Sequence, residues 1–331
     1  MATILVTGAS GFVGSHAIPA LIDAGHRVVA VVRTPEAGAR VVGRLLPDQR
    51  SSLDLRRGDV TQPSTLPAAL AGTDAVLHLA AIPRDRNGGA DLRLVNTEGT
   101  RNIVVAAQAA GVLRFIHQGA LGVEDDPELH YASSKAKAER IVAESGLDWT
   151  ITKPSLLFGE RDGFFNLLAD LVRTSPGVVP VPGRGESRFQ PLAVADLARI
   201  FVASIDDPSR FRHTYELGGP RYWSYREIVG EVLRGMGTRR AVVPMPVPLI
   251  RLVAGSAERV HLPFPVATDQ LRQLGLDNIG PLDGVRDAFG FEPTPMEGRL
   301  GYLRHRLRDQ EPDADRSDGA AEPPAATMPD A

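Results

Sequence analysis

The sequence predicts an α/β fold, a doubly wound parallel Rossmann sheet followed by a smaller C-terminal α+β domain. In its first half, short runs rich in β-branched residues alternate with longer helical patterns, as in parallel sheets covered by helices. The run Val28–Val32 is apolar at every position, which is typical of a strand buried on both faces. A glycine-rich turn, Gly8–Gly14, follows the first run directly. At 331 residues, the chain is long enough for two domains.

Six runs of the first half are predicted strands, and four helical patterns are interspersed among them. The strands are Thr3–Thr7, Arg27–Arg33, Leu53–Arg57, Ala75–Leu79, Arg114–Gln118 and Trp149–Lys153. The helices lie near residues 12–24, 64–71, 91–110 and 127–145. We expect the last helix to begin at Pro127, because Asp125 and Asp126 are good capping residues and proline is favoured in a first turn.

The pattern becomes less regular after residue 155. Helices are predicted near residues 164–173, 193–206 and 224–236, and the proline- and glycine-rich stretch Val178–Gly183 interrupts them. Thr214–Leu217 is predicted to be a short late strand. The expected domains are residues 1–155 and 188–219 for the Rossmann domain, and residues 156–187 and 220–307 for the smaller one. Residues 308–331, rich in Asp, Ala and Pro, are expected to form a disordered acidic tail.

The composition excludes several classes of protein. The chain has no cysteine, so it has no disulfide framework, cysteine-ligated zinc, iron–sulfur cluster or thiol nucleophile. Its 8 histidines show no spacing typical of metal ligands, and we predict no metal site. The net charge of −3 provides no broad basic surface, so we expect no nucleic-acid partner.

The sequence also bears on location. The N-terminus lacks the basic region of a signal peptide, and no apolar run approaches the roughly 20 residues of a membrane span. We therefore expect a cytoplasmic protein without a transmembrane segment. The apolar, proline-rich stretch 244–265 has two interpretations: it packs against the sheet edge, or its apolar residues contact a partner or a membrane surface. Those residues are Leu249, Ile250, Leu252 and Val253.

Each glycine of the Gly8–Gly14 motif has a physical task in a dinucleotide site. Gly8 permits the tight turn, Gly11 lets the backbone approach a diphosphate, and Gly14 lets the helix pack on the strand. The phosphates then lie at the helix N-terminus, where free N–H groups and the helix dipole favour anions. Because the motif stands between a strand and a helix, it predicts dinucleotide binding rather than a bare tight turn.

The end of the second strand indicates which dinucleotide is preferred. A carboxylate at this place suits a free ribose, whereas a cation suits a ribose 2′-phosphate. Arg33 occupies the place, and no carboxylate follows it until Glu36. The sequence therefore predicts a preference for NADP(H) over NAD(H). The alternative is that Arg33 is simply a solvated residue at a strand end.

Tyr131 and Lys135 form a candidate catalytic pair. Their four-residue spacing places the phenol and the ammonium on one face of the helix after the fifth strand. A free tyrosine has a pKa near 10, and a neighbouring ammonium, together with the positive nicotinamide, stabilises the phenolate and lowers that pKa. Tyr131 would then exchange a proton at neutral pH. The alternative is a half-buried tyrosine beside a surface lysine.

Several motifs together resemble the short-chain dehydrogenase/reductase superfamily, in its extended and atypical forms that include epimerase/dehydratase-like proteins. The motifs are Thr7–Gly14, Gly58–Val60, His78–Ala81, Val95–Thr100, Tyr131 with Lys135, Lys153–Gly159, Phe189–Ala198 and Tyr215–Pro220. Asp162–Asn166 and Pro246–Pro248 are most similar to one subgroup, the nicotinamide-nucleotide-binding accessory subunit of respiratory complex I and its bacterial relatives. The resemblance covers about residues 3–307.

The resemblance implies a set of cofactor-binding positions. They are Gly8, Ser10, Gly11, Phe12, Val13, Gly14, Arg33, Asp59, Val60, Ala80, Ala81, Asn96, Lys135, Pro154 and Ser155. The glycine motif would line the diphosphate, and Arg33 would meet the 2′-phosphate. Asp59 and Val60 would flank the adenine.

The remaining positions are implied for the nicotinamide half of the cofactor. Ala80 and Ala81 would lie against the ribose, and Asn96 would stabilise the central helix. Lys135 would hold the ribose hydroxyls. Pro154 and Ser155 would pack beside the nicotinamide.

One departure from the family concerns the end of the fifth strand. The family usually has a serine or threonine there, which holds the substrate carbonyl beside the tyrosine. This chain reads His117-Gln118-Gly119-Ala120-Leu121-Gly122, without a hydroxyl. Removal of one such donor typically lowers turnover by about 10²–10³. Gln118 or a water molecule is the candidate substitute.

Three functions are consistent with these observations. The leading one is an NADP(H)-dependent oxidoreductase that uses Tyr131 and Lys135 on a small carbonyl or alcohol substrate. The second is a non-catalytic accessory or assembly subunit that holds NADPH and has a respiratory-complex partner. The third, a sugar-nucleotide epimerase or dehydratase, is disfavoured by the missing hydroxyl and by the lack of an acid after the second strand.

Overall fold

The computed structural model describes residues 1–85, 87–175, 177–246, 248 and 275–305. The predicted tail lies outside the described residues, and so do Leu249, Ile250, Leu252 and Val253 of the proline-rich stretch 244–265. In the described part of the chain, no helix is long and apolar enough to cross a membrane.

Seven parallel strands form the main sheet. They are β1 (Thr3–Thr7), β2 (Arg27–Val32), β3 (Leu53–Arg57), β4 (Ala75–His78), β5 (Arg114–Gln118), β6 (Asp148–Pro154) and β11 (His213–Leu217), in the order β11-β6-β5-β4-β1-β2-β3. Leu5 of β1 pairs with Val29 on one side and with Val76 on the other. The chain builds β2 and β3 on one side of β1 and then continues with β4 on its other side. The order of the strands therefore reverses between β1 and β4, and ligands bind at the carboxyl ends of strands at such a point.

Six short strands form three two-stranded sheets outside the main one. β7 (Leu157–Phe158) pairs with β10 (Leu192–Ala193), β8 (Val178–Pro182) with β13 (Ala241–Met245), and β9 (Arg188–Phe189) with β12 (Trp223–Ser224). Only the β9–β12 pair is antiparallel among these three.

Helices connect the strands and cover both faces of the sheet. They are α1 (Gly14–Asp23), α2 (Pro35–Gly43), α3 (Leu66–Leu70), α4 (Ala90–Leu92), α5 (Gly99–Ala109), α6 (His130–Ala143), α7 (Phe164–Thr174), α8 (Val194–Ile205), α9 (Tyr225–Gly235) and α10 (Gly284–Phe289). A π-helical segment, Arg93–Glu98, links α4 to α5. Short 3₁₀ turns are Gln49–Ser52, Pro63–Thr65, Pro208–Arg210 and Leu300–Arg304.

Three apolar cores hold these layers together. On one face of the sheet, α1 and α8 pack through residues such as Leu21 and Phe201. On the other face, α3, α5 and α6 pack through residues such as Ile103. A separate core joins α7, β8, α9 and the 3₁₀ turn Leu300–Arg304, and includes Phe165. The small lobe defined by this third core lies next to the carboxyl end of β6.

The predicted elements of the first half are largely confirmed, and the differences are informative. All six predicted strands of the first half are present, with ends that differ by at most one residue. The predicted start of the fourth helix at Pro127 is wrong, because α6 begins at His130. Asp125 does not cap it, since its carboxylate accepts a hydrogen bond from Ser133 Oγ at 2.6 Å and pairs with Lys137 at 3.3 Å.

A strand and a helix are examples of elements that the pattern did not predict. The proline- and glycine-rich stretch Val178–Gly183 contains strand β8, which pairs along its full length with β13. Helix α2 starts after Thr34, whose Oγ1 accepts a hydrogen bond from Ala37 N at 3.3 Å, and Pro35 is in its first turn.

Candidate dinucleotide site and catalytic pair

The glycine loop connects β1 to α1 at the point where the strand order reverses. A Cβ on Gly8, whose φ is +67°, would lie 2.7 Å from the carbonyl carbon of Leu79 in the adjacent chain segment. A Cβ on Gly14 would lie 2.6 Å from the carbonyl oxygens of Gly8 and Ala9. Since these neighbours are backbone atoms that cannot rotate away, both positions require glycine for packing alone.

The N-terminus of α1 is electrostatically suited to an anion. Its capping residue, Val13, provides no side-chain cap, and no acidic residue stands in the first turn. The first N–H groups and the helix dipole therefore face the loop without a protein carboxylate. Arg44 places a positive charge beside the loop, since its Nη1 donates to the carbonyl of Ser10 at 2.7 Å. These residues fit the diphosphate of a dinucleotide.

The ends of the neighbouring strands lie beside this loop. Arg33 is exposed directly after β2. The next carboxylate, Glu36, is engaged at the start of α2, where its own N–H and the Thr34 hydroxyl lower its pKa. After β3, Asp59 Oδ1 accepts from the N–H and from the hydroxyl of Thr61, each at 2.8 Å. Arg33 and Asp59, both predicted for the adenosine half, thus follow the carboxyl ends of two paired parallel strands.

Thr7 fastens the loop to the end of β4. Its Oγ1 accepts from the N–H groups of Leu79 and Ala80, both at 3.2 Å, and bonds His78 Nδ1 at 2.7 Å. His78 Nε2 in turn bonds Thr100 Oγ1 at 2.9 Å. Burial lowers the pKa of His78 to about 3, so the ring is neutral. No local sequence pattern predicts this connection, because it joins residues far apart in the chain.

Asn96 links the segment after β4 to α6. Its Oδ1 accepts from Ile82 N at 2.8 Å, and its Nδ2 donates to Ile82 O and to Ser134 Oγ, both at 3.0 Å. It stands in the π-helical segment Arg93–Glu98, and such segments are frequent at functional sites. The bonds to Ile82 also fix the backbone just after Ala80 and Ala81.

Tyr131 and Lys135 lie one turn apart on α6. Lys135 is buried and its Nζ donates to the carbonyl of Gln118, at the end of β5, at 2.5 Å. Burial lowers the pKa of Lys135 to about 8, and the carboxylate of Glu139 opposes this shift. Burial, followed by the charge of Glu139, raises the pKa of Tyr131 to about 12. In the chain alone the tyrosine pKa is therefore raised, and the expected lowering, which includes the charge of a bound nicotinamide, stays a prediction.

The carboxylate of Glu139 occupies the space beside Gly119. A Cβ on Gly119 would overlap it, with the Glu139 Cδ only 2.9 Å away. Glu139 Oε1 accepts from Ala120 N at 3.1 Å, and Oε2 pairs with Lys153 Nζ at 3.3 Å. The end of β5 thus has a carboxylate next to it where the family usually has a hydroxyl.

Ser155 lies in a junction between the two lobes. Its hydroxyl donates toward the carbonyl and the Oδ1 of Asn278, at 2.8 and 2.6 Å, and accepts from Gln190 N at 3.1 Å. Asn278 Nδ2 also donates to the carbonyl of Leu121, at 2.6 Å, and so holds the segment after β5. Ser155 is one of the predicted positions, whereas Gln190 and Asn278 are not, because they are remote from it along the chain.

His117 is a buried histidine in β5. Its ring stacks on that of His78 at 5.4 Å, and it is buried. Neither ring nitrogen has a hydrogen-bond partner among the described residues. Burial lowers the pKa of His117 far below its usual value, so the ring is neutral. Within the described residues, no group of three or more His, Asp or Glu side chains could hold a metal ion.

The fold and the glycine loop define a Rossmann protein that binds a nicotinamide dinucleotide. The sequence profile of the NAD(P)H-binding family matches residues 8–208. The chain belongs to this family, which groups with the atypical short-chain dehydrogenase/reductase and epimerase/dehydratase proteins.

The relatives of the chain have different functions. It is 26% identical to the mitochondrial NADH dehydrogenase [ubiquinone] 1 alpha subcomplex subunit 9 of Arabidopsis thaliana, across 84% of this chain and 68% of the relative. It is 29% identical to a 3 beta-hydroxysteroid dehydrogenase/Delta 5-->4-isomerase of Mycobacterium tuberculosis, across 88% of this chain and 86% of the enzyme. At these identities the family is shared, and the substrate does not follow.

The solved structures confirm the fold. The dTDP-glucose 4,6-dehydratase DesIV of Streptomyces venezuelae superposes with a TM-score of 0.67 and 22% identity, over 91% of this chain and 95% of that one. The expected α/β architecture, with a parallel Rossmann sheet and a smaller C-terminal region, is therefore correct.

Proposed function

We propose that this protein is an NADP(H)-dependent oxidoreductase of the atypical short-chain type, acting on a small carbonyl or alcohol substrate. The observation that supports it is the placement of Tyr131 and Lys135. Both lie on α6 behind the end of β5, with Lys135 fixed by the Gln118 carbonyl. Sites at the carboxyl ends of these strands are where the family binds its nicotinamide.

A bound nicotinamide would supply the hydride chemistry of the proposed reaction. Tyr131 exchanges a proton with the substrate oxygen through its phenol. Lys135 holds the ribose hydroxyls, and its positive charge favours the phenolate against the burial that raises the Tyr131 pKa to about 12. Glu139 favours the charged form of Lys135.

A tyrosine variant tests the catalytic assignment. NADPH oxidation is followed by absorbance with a panel of ketones and aldehydes, and the reverse reaction with alcohols. Tyr131→Phe is expected to lower kcat by about 10²-fold or more while NADPH binds as before, since general acid–base catalysis contributes roughly 10²–10⁴-fold. Unchanged turnover of a demonstrated substrate in Tyr131→Phe contradicts the assignment.

The preference for NADP(H) is tested separately at Arg33. We expect Arg33→Asp to weaken NADPH binding by more than tenfold and to bring NADH binding to equal or greater strength. The reason is that a carboxylate repels the 2′-phosphate and accepts hydrogen bonds from a free ribose. Arg40→Asp, an exposed change within α2, is the control. Tighter binding of NADH than NADPH by the unaltered protein overturns the role of Arg33.

A second function is favoured by the end of β5. Gly119 and Ala120 provide no hydroxyl, and the Glu139 carboxylate fills the space beside them. We therefore also consider a non-catalytic NADPH-holding subunit with a respiratory-complex partner, as the name of the Arabidopsis relative suggests. Its signature is NADPH that survives dialysis and is not oxidised by any carbonyl compound. Weak, exchangeable NADPH with rapid oxidation supports the enzyme instead.

A further inference from the structure

Arg161 follows β7 and reaches the first turn of α1. Its Nη2 donates to Ser15 Oγ at 3.1 Å, and Ser15 Oγ in turn donates to the carbonyl of Phe12 at 2.7 Å. Ser15 is the second residue of α1, directly after the glycine loop. A guanidinium from the start of the small lobe therefore lies at the end of the proposed dinucleotide site.

The backbone holds Arg161 in this position under strain. Its φ is +70°, a left-handed conformation that side chains other than glycine rarely adopt. The turn is closed by a bond from Asp162 N to the carbonyl of Gly159 at 3.1 Å. The Asp162 carboxylate is fixed in turn by Phe165 N at 2.5 Å and by the Tyr302 hydroxyl. Strained residues that the surroundings hold in place are frequent at ligand sites.

The charge of Arg161 is not balanced by a carboxylate. Among the described residues it has no ion pair, and its buried Nε has no hydrogen-bond partner. The neighbouring Glu160 is exposed, and its backbone carbonyl bonds His16 Nε2 at 3.3 Å. Burial lowers the pKa of His16, and the charges of Arg161 and Arg44 lower it further, against Glu160. The start of α1 thus lies between two arginines.

We propose that Arg161 binds the diphosphate of the dinucleotide, at the opposite end of the glycine loop from Arg44. This inference rests on the dinucleotide binding of the proposed function. A guanidinium has five N–H donors in a planar arrangement, and only one is engaged by Ser15, so others remain for phosphate oxygens. A diphosphate carries the two adjacent negative charges that an acid-free helix N-terminus with two arginines accommodates.

Calorimetric titration with NADPH and with ADP-ribose separates this role from that of Arg33. ADP-ribose contains the diphosphate but neither the 2′-phosphate nor the nicotinamide. Arg161→Gln is expected to weaken both ligands by about tenfold or more, and Arg161→Lys to recover part of the loss. Arg33→Ser is expected to weaken NADPH and to leave ADP-ribose within twofold. If Arg161→Gln weakens NADPH alone, or neither ligand, the inference is overturned.

A glycine variant distinguishes charge from folding. Arg161→Gly relieves the left-handed strain, so it is expected to keep or raise the thermal stability of the unliganded protein while ADP-ribose still binds at least tenfold more weakly. Arg212→Gly is the matched control, because Arg212 has φ +60° at the opposite end of the sheet, where its N–H bonds Trp149 O. Equal loss of affinity in both variants overturns the inference. If the unaltered protein binds neither NADPH nor ADP-ribose, the proposed function is overturned instead.

Discussion

Lys135 is a buried cation whose Nζ bonds the carbonyl of Gln118 at 2.5 Å. Removal from water penalises its charged form, so its pKa falls from 10.5 to about 8 despite the nearby Glu139. At neutral pH the lysine is protonated in the folded and the unfolded chain, and its burial then opposes folding. A residue that destabilises the fold in this way is a candidate for function rather than for structure.

We expect Lys135→Met to raise the free energy of unfolding at pH 7, by about 1–3 kcal/mol, because an apolar side chain avoids this penalty. The gain should shrink as the pH rises above 8, since the folded wild-type protein then loses its proton before the unfolded chain does and its stability recovers. Urea unfolding at pH 7 and pH 9.5 measures both values.

Lys137→Met is the matched control, because Lys137 is an exposed lysine on the same helix. Its effect should stay within about 0.5 kcal/mol at either pH. A stabilisation by Lys135→Met that grows at pH 9.5 would contradict the role of burial.

Gly119 and Glu139 should be energetically coupled. Gly119→Ala places a methyl group against the carboxylate, with Cδ at 2.9 Å, and we expect a loss of about 1–3 kcal/mol in stability. In a Glu139→Ala background the space is open, and the same change should have little effect. Unfolding of the two single variants, the double variant and the wild-type protein gives the coupling energy, expected to be about 1 kcal/mol or more. Strict additivity would show that the carboxylate does not occupy this space in solution.

At the scale of elements, Arg114 joins the end of α8 to the sheet. Its guanidinium donates to the carbonyls of Ser204 and Ile205, to Asp148 O at 2.6 Å and to Thr150 Oγ1 at 2.7 Å. These α8 carbonyls have no partner within their helix, as at every helix C-terminus. Burial lowers the Arg114 pKa to about 10, so the side chain remains charged at neutral pH.

Arg114→Lys is expected to lower the free energy of unfolding by about 2–4 kcal/mol. A lysine has three donors on one nitrogen and cannot reach both α8 and β6 at once, so buried carbonyls lose their partner. Arg199→Lys, an exposed residue of α8 that lies over the Phe291 ring, is the control and should change stability by less than about 1 kcal/mol. Denaturant unfolding checks both, and equal effects would contradict the fastening role.

Strands were predictable because their apolar runs are local. Val28–Val31 are buried in β2, and the expected boundaries of β1, β3 and β5 are those observed. The start of α6 was not predictable in this way. Asp125 has the local properties of a cap, but the folded chain uses its carboxylate for Ser133 and Lys137. Helix α2 had a usable signal in Thr34-Pro35, a capping residue followed by proline.

The residues of the candidate site also fall into those that a local pattern predicts and those that depend on distant contacts. The glycine loop and the Tyr131/Lys135 spacing are local patterns, and the sequence located both. Glu139 beside Gly119 and Asn278 on Ser155 are contacts made only when distant segments pack. No spacing rule in one sequence predicts them. The pKa directions belong to this second group, because burial dominates them.

At the scale of the whole molecule, the two lobes are joined through buried polar contacts. Gln190 is fully buried, and its Nε2 donates to Gly219 O at 2.8 Å while its Oε1 accepts from Gly280 N at 2.9 Å. Side chains on Gly218 or Gly219 would overlap Gln190 or the Pro191 carbonyl. The junction therefore depends on glycine at both positions, and it fixes the small lobe relative to the carboxyl end of the sheet.

The second junction connects the C-terminal segment to the turn that carries Arg161. The Tyr302 hydroxyl donates to Asp162 Oδ2 at 2.5 Å and accepts from Gly159 N at 3.2 Å. Burial raises the Asp162 pKa to about 6, and the Tyr302 hydroxyl limits this rise. The folded protein thus holds the Asp162 proton more tightly than the unfolded chain does. Stability contributed at this site therefore falls as the pH rises from about 4 to 6.

Tyr302→Phe should destabilise the protein by about 1–3 kcal/mol at pH 7, where Asp162 is ionised and loses a buried donor. The loss should be smaller at pH 5, because Asp162 is then protonated and a neutral carboxyl is easier to bury. Unfolding at the two pH values measures the difference. Tyr215→Phe, a change in β11, is the control, because it retains the ring contact with Phe289. It should change stability by less than about 0.5 kcal/mol at both pH values. A Tyr302→Phe loss that is larger at pH 5 would contradict an ionised Asp162. It would instead require a neutral carboxyl to hold the turn between the two lobes.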